Sequence, residues 1–353
     1  MTLATLALHD LHAAANAAFG DGPPALPLWY GPDETEAVAG EYAASREAAA
    51  IVDLAERAVL EVGGPQRQKF LHNILSNDLL GREPGQGCLA ALMEVKGHLV
   101  ALMRVLVTPD AVRLELPGAR LAVVEAALLH YKVGAPVRFG SKPTAVFGLL
   151  GPEARGLLAG LGAALPDLPA EGHASATLVG QDVRIARASD LPCGGFVLHV
   201  PPDAAAPTWT ALLSSGARPL GRRALDALRI EAGRPWYGSD IDASNLLHET
   251  GLLREYHSAS KGCYIGQEVI ARLEARGGHV NRALRGLRLT APASAGAAVT
   301  AGGDEVGRIT TAAVSPRLGP IAMAYVHRNH FAPGTPVEVE GQPATVAALP
   351  LEP

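Results

Sequence analysis

What most restricts the fold is a break in pattern at Arg288. Beyond it, short β-type runs (Val306–Thr311, Ile321–Val326 and Val337–Val339) alternate with Gly and Pro turns, and helical periodicity is absent. That spacing predicts a small antiparallel barrel. Before the break, strand-like and helix-like segments follow one another. Strands are expected at Ala50–Leu54, Val59–Val62, Cys88–Glu94, His98–Thr108 and Val112–Glu115, with Pro109-Asp110 turning the last pair into a hairpin. Helices are expected near 1–20, 35–49, 66–75, 119–130, 205–215 and 221–232; Phe70, Leu71 and Ile74 fall at helical spacing in one, and Leu121, Val124 and Leu128 in another. Residues 143–164 repeat a strand–turn–helix unit with Gly151-Pro152 at the helix start. Residues 165–175 read as an exposed loop, and strands return at 177–187 and 195–200. The fold class is therefore α+β: strand–helix subdomains followed by a small C-terminal antiparallel β-barrel. The expected divisions are residues 1–37 (helix and Pro/Gly-rich connector), 38–284, and 285–353 for the barrel.

Composition narrows the function. The chain has 353 residues and a formal net charge of −5, which gives no global drive toward nucleic acid. Its three cysteines, Cys88, Cys193 and Cys263, show no C-x-x-C spacing, which argues for a reducing compartment rather than a disulfide framework. The first residues lack a basic leader pattern, and no apolar run approaches the roughly 20 residues a bilayer needs. A cytoplasmic location without membrane contact is expected.

Two segments carry candidate chemistry. In Lys261-Gly262-Cys263-Tyr264-Ile265-Gly266-Gln267-Glu268, the glycines permit tight turns, and Ile265, Val269 and Leu273 fall at i, i+4 and i+8. A helix is expected to begin near Ile265. Cys263 would then precede a helix N-terminus and follow Lys261, both of which favour a thiolate; a half-buried structural cysteine is the alternative. In Leu228-Arg229-Ile230-Glu231-Ala232-Gly233-Arg234-Pro235-Trp236-Tyr237-Gly238, Gly233 suits a helix C-terminus and Glu231 lies at the edge of an apolar stripe. A partly buried carboxylate needs donors. These could come from the N–H edge of a ligand, or from Arg229 or Arg234. The basic run Arg272, Arg276, His279, Arg282, Arg285 and Arg288 suits the carboxylates of a ligand, a nucleic-acid partner or a solvated face. Gly85–Ala90 fits G-x-G-x-x-A without a convincing strand leading into it, so dinucleotide binding is rejected. His327 and His330 lack a ligand set, and no metal site is expected.

The first segment, continued through Arg272, Gly277, Asn281 and Arg282, closely resembles the signature of the YgfZ-type folate-binding proteins, which are linked to iron–sulfur cluster assembly and repair. The second resembles the R-x-E-A-G motif of the superfamily of the glycine-cleavage aminomethyltransferase (T-protein). Ile51-Val52-Asp53-Leu54, Gly64-Pro65, Phe70-Leu71 and Ser76-Asn77-Asp78 resemble that superfamily's opening block. Gly307-Arg308-Ile309-Thr310, Ser315-Pro316 and Ile321–Val326 resemble its barrel. The resemblance implies binding of tetrahydrofolate or a one-carbon derivative. Glu231 would hold the pterin, Tyr237, Arg272 and Asn77 would be further cofactor-binding positions, and Cys263 and Lys261 would be the reactive pair. It further implies iron–sulfur client proteins as partners, with a tRNA-modification role as another possibility. In the aminomethyltransferases, the strand matching Gly97–Val105 carries a catalytic aspartate. Here Ala101 and Leu102 stand there, and no acid lies between Glu94 and Asp110. On that ground a lost transferase activity is expected, with a working aminomethyl transferase as the alternative.

Overall fold

The computed structural model describes residues 3–21 and 25–352. Residues 1–2 of the expected first helix, 22–24 of the connector and Pro353 lie outside the described residues.

The C-terminal barrel is present and closed. Its strands run in the order Arg282–Leu289, Gly319–His327, Asp304–Ser315, Ala298–Ala301, Pro336–Val339 and Gln342–Ala347, the last pairing back onto the first. All neighbours are antiparallel, and Leu287, Val299, Ile309, Ala324, Val326 and Val346 fill the interior. The first strand begins at Arg282, so the boundary expected at residue 285 falls inside it. Arginines at 282, 285 and 288 on this strand hide its β pattern in the sequence.

Upstream lie two large sheets and a two-stranded one, Ala17–Phe19 with Pro27–Tyr30, where the end of the first helix and the connector were expected. The five-stranded sheet is wholly antiparallel, in the order Gly87–Met93, Leu99–Val107, Ala111–Pro117, Arg57–Gly63 and Arg138–Ser141, with the expected hairpin at Pro109-Asp110. Every residue of Leu99–Val107 is buried, because both faces are covered. Ala101, Met103 and Val105 pack with Leu71, Leu75 and Leu114, while Leu99 and Leu102 pack oppositely with Tyr256 and Tyr264. The six-stranded sheet has the order His173–Leu178, Gln181–Arg187, Gly195–Val200, Ala145–Leu150, Ala50–Asp53 and Arg218–Pro219, the last strand parallel to its neighbour.

Three expectations change here. The strand expected at 177–187 is a hairpin, turned by Val179 at φ 50° and Gly180 at φ 75°. A β-branched residue in a left-handed turn is uncommon, so the sequence gives no usual turn signal. The loop expected at 165–175 ends in buried Glu171 and His173. The helix expected from Ile265 runs Gln267–Ala275. Gly266 holds φ 82° before it, and a Cβ there would sit 2.7 Å from the Glu94 carbonyl oxygen. Gly262 has open space around it and needs no such freedom.

Helix Arg222–Glu231 joins the two parts. Leu225 and Leu228 pack with Val52, Leu54 and Val146 of the six-stranded sheet, whereas Ile230 packs with Leu284, Ile321 and Met323 of the barrel. Arg229, fully buried, pairs with Asp226 and Asp240 and donates to the barrel's Thr311 hydroxyl at 2.8 Å. The helix ends at Ala232 and Gly233, the latter at φ 64°, as expected of a left-handed C-terminal residue.

Candidate functional site

A narrow cleft lies where strand Leu99–Val107, the turn after Gly233 and the segment around Tyr256 converge. Leu102, Trp236, Tyr237 and Tyr256 form walls, and Arg57, Asp190 and Arg234 supply polar groups. Trp236, Tyr237 and Arg234 are each held in place. The Trp236 backbone N–H donates to Asp240 at 3.0 Å, and the Arg222 guanidinium stacks 4.7 Å from its ring centre. The Tyr237 hydroxyl donates to the Leu99 carbonyl at 3.2 Å, and burial raises its phenol above the ordinary value. Arg234 is fixed by both carboxylate oxygens of Glu255 at 2.7 Å.

Behind the cavity lies a buried charge cluster. The Arg104 guanidinium donates to Glu115, Glu171 and Asp190. Arg57 Nε lies 2.6 Å from Glu115 Oε1, and His199 Nε2 donates to Glu115 Oε2 at 2.9 Å. Burial alone would push the Glu115 carboxyl up. Arg57, Arg104 and His199 outweigh it and hold the carboxyl well below the usual range. Burial lowers His199, against the pull of Glu115 beside it.

The expected site residues do not all converge. Tyr237 lines the cavity. Asn77 does not line it; its Nδ2 donates to the Leu89 and Glu255 carbonyls at 2.8 and 3.2 Å. Glu231 faces elsewhere. Its carboxylate accepts from Tyr42, from Ser315 and from Arg317 at 2.9 Å, with Arg46 at 3.8 Å. Neither Arg229 nor Arg234, the partners weighed from sequence, reaches it; the actual partners are 84 to 189 positions away. Lys261 turns its ammonium to the His72, Leu75 and Asn77 carbonyls and over the Tyr264 ring. Burial pushes Lys261 down to about 8 despite Asp78 and Cys88 nearby. The thiol coupled to this charge is thus Cys88, which burial nonetheless pushes up to about 11. Cys263 and Arg272 are exposed and lie away from the cavity. The basic run is divided: Arg282 pairs with Glu249, Arg285 donates to the Phe331 carbonyl and Arg288 to that of Glu352.

Sequence reasoning missed Arg57 and Asp190, which no local motif marks. The strand expected to lack an acid does present Leu102, not Ala101, to the cavity. A carboxylate is nevertheless there: Asp190 arrives from the turn after Gln181–Arg187 in the other sheet. Among the described residues, no group of three or more His, Cys, Asp or Glu is placed to hold a metal ion, and no helix is long and apolar enough to cross a membrane.

Two large sheets, a closed barrel and a charged cleft beside the linking helix make up the T-protein fold. A solved structure of glycine cleavage system aminomethyltransferase T from Bartonella henselae superposes with a TM-score of 0.87, at 24% identity, covering 98% of this chain and 96% of that one. The GCVT N-terminal domain profile matches residues 8–256, and the glycine cleavage T-protein C-terminal barrel domain profile matches residues 282–352. An aminomethyltransferase from Streptomyces coelicolor is 32% identical over 346 residues, covering 92% of this chain and 91% of that protein. One from Saccharopolyspora erythraea is 31% identical over 361 residues, covering 98% and 96%. The chain belongs to the glycine cleavage T-protein family.

Proposed function

We propose that the chain binds tetrahydrofolate or a one-carbon derivative in the cavity and acts as a folate-dependent one-carbon (aminomethyl) transferase. The observation that carries this reading is the pairing of both T-protein domains, at nearly the full length of relatives named aminomethyltransferases, with a cavity that contains a carboxylate. The replacement of the strand acid by Leu102 argued against transfer. Asp190 weakens that argument by bringing a carboxylate into the same cleft from the other sheet. Flat aromatic walls and a polar floor suit a bicyclic headgroup with a hydrogen-bonding edge. Incubation with tetrahydrofolate and an aminomethylated carrier protein tests the reading: ammonia and methylene-tetrahydrofolate should appear together.

A second reading keeps the YgfZ-type assignment, a folate-binding accessory factor in iron–sulfur cluster assembly or repair with Cys263 as its working group. The exposure of Cys263 on the segment before helix Gln267–Ala275 favours it. Folate binding without product formation, together with loss of client iron–sulfur activity in Cys263→Ser, would select this reading over transfer.

A further inference from the structure

Two groups on the cavity floor have hydrogen-bonding capacity that no described protein group uses. Asp190 gives Oδ1 to Arg104, and its Oδ2 accepts from no described protein group. Arg57 sets Nε against Glu115 at 2.6 Å, and its terminal nitrogens donate to no described protein group. Both side chains are partly open, Asp190 at 19% and Arg57 at 15%. Both line the same cavity, and Asp190 is near enough to act on the Arg57 charge. The floor therefore presents an acceptor near a donor, under walls made by Leu102, Trp236, Tyr237 and Tyr256.

We propose that Asp190 and Arg57 together read the lactam edge of the reduced pterin. Asp190 accepts the ring N–H, and the Arg57 guanidinium donates to the neighbouring carbonyl oxygen. This rests on the folate reading above and assigns the groups that set its headgroup specificity. A small zwitterionic amino acid also complements an adjacent acid and base, but it would leave the aromatic walls wet. A planar bicycle covers them, so the heterocycle is the better match. Arg104 sharpens the assignment. Because it donates to the inner oxygen of Asp190, Asp190→Asn must keep its carbonyl toward Arg104 and turn its NH₂ toward the ligand. A donor then faces a donor.

The test is calorimetric titration of the full chain with tetrahydrofolate, its 4-amino-4-deoxy analogue and glycine. The wild-type protein should prefer the 4-oxo form by about tenfold or more, because the 4-amino group sets a donor against Arg57. Asp190→Asn should weaken tetrahydrofolate binding roughly ten- to a hundredfold, and Arg57→Lys should shrink the oxo-over-amino preference. Circular dichroism establishes that each variant is folded; if one is not, the wild-type preference decides. Equal affinity for the two folates, unchanged binding in folded Asp190→Asn, or glycine displacing the headgroup overturns the assignment while the folate reading stands. Failure of the wild-type protein to bind any folate overturns both.

Discussion

Tyr42 and Glu231, 189 positions apart in sequence, meet side chain to side chain: the tyrosine hydroxyl lies 3.0 and 2.9 Å from the two carboxylate oxygens. Arg317 and Ser315 close the other side, so the carboxylate ties helix Glu34–Glu47 and the barrel to the end of helix Arg222–Glu231. Glu231→Gln is expected to lower unfolding stability by about 2–4 kcal/mol, since it leaves Arg317 without its counter-charge. Urea denaturation measures this. A variant of unchanged stability that has lost tetrahydrofolate affinity would instead return Glu231 to the ligand-binding role its motif suggests.

Arg104 answers three carboxylates from the interior. Arg104→Met is expected to cost about 3–5 kcal/mol, the usual consequence of stranding buried charge. The cluster also sets an acid limit. Glu115 is held below its unfolded value of about 4.3, so its contribution is complete above that pH and is lost as pH falls through the folded value. Chemical denaturation at pH 5, 4 and 3 should show a progressive loss, smaller in Glu115→Gln.

Glu41 works in the opposite direction. Burial pushes its carboxyl up to about 7, even though the Tyr30 and Gly221 backbone N–H groups donate to it at 2.7 and 2.8 Å. Its folded value lies above its unfolded one, so its contribution is fullest below about pH 4.3 and declines as pH rises through 7. Glu41→Gln should flatten the fall in stability between pH 5 and 8 by about 3 kcal/mol. A wild-type profile already flat across that range would remove the assignment.

The three thiols should separate on alkylation with a limiting reagent. Cys88 is buried and pushed up to about 11, so it should label last. Cys193 is exposed, but burial of its sulfur environment raises its thiol, whereas Cys263 is exposed on the segment before a helix. Site-resolved mass spectrometry should find Cys263 modified first; Cys193 reacting ahead of it would weaken the accessory-factor reading.

The fold was legible where local pattern and tertiary role coincide. The barrel's Gly-punctuated runs, the Pro109-Asp110 hairpin and the Gly233 helix end each announce themselves within a few residues. The cavity was legible only through Tyr237 and the absence of an acid at Leu102. Arg57 and Asp190 gain their meaning from Arg104 and Glu115, which lie on other strands. A Val179-Gly180 turn carries no standard hairpin signature, and Glu171 reads as a loop acid until Arg104 is placed beside it. Lys261 illustrates the limit in the other direction. Adjacency to Cys263 suggested one partner, while the chain's path delivered three carbonyls from residues 72–77.

The linking helix has a consequence for how the molecule comes apart. Arg229 is sealed against Asp240, whose Oδ1 accepts from Thr310 and Thr311 of the barrel at 2.6 and 2.7 Å. Severing the chain before Arg282 would open this join and leave an ion pair without its hydroxyl partners on one fragment, and a barrel with an uncovered Leu284–Ile321–Met323 patch on the other. Neither half is therefore autonomous. Heating should give one cooperative endotherm for the whole chain, and the barrel expressed alone should be recovered aggregated unless the remainder is supplied in trans.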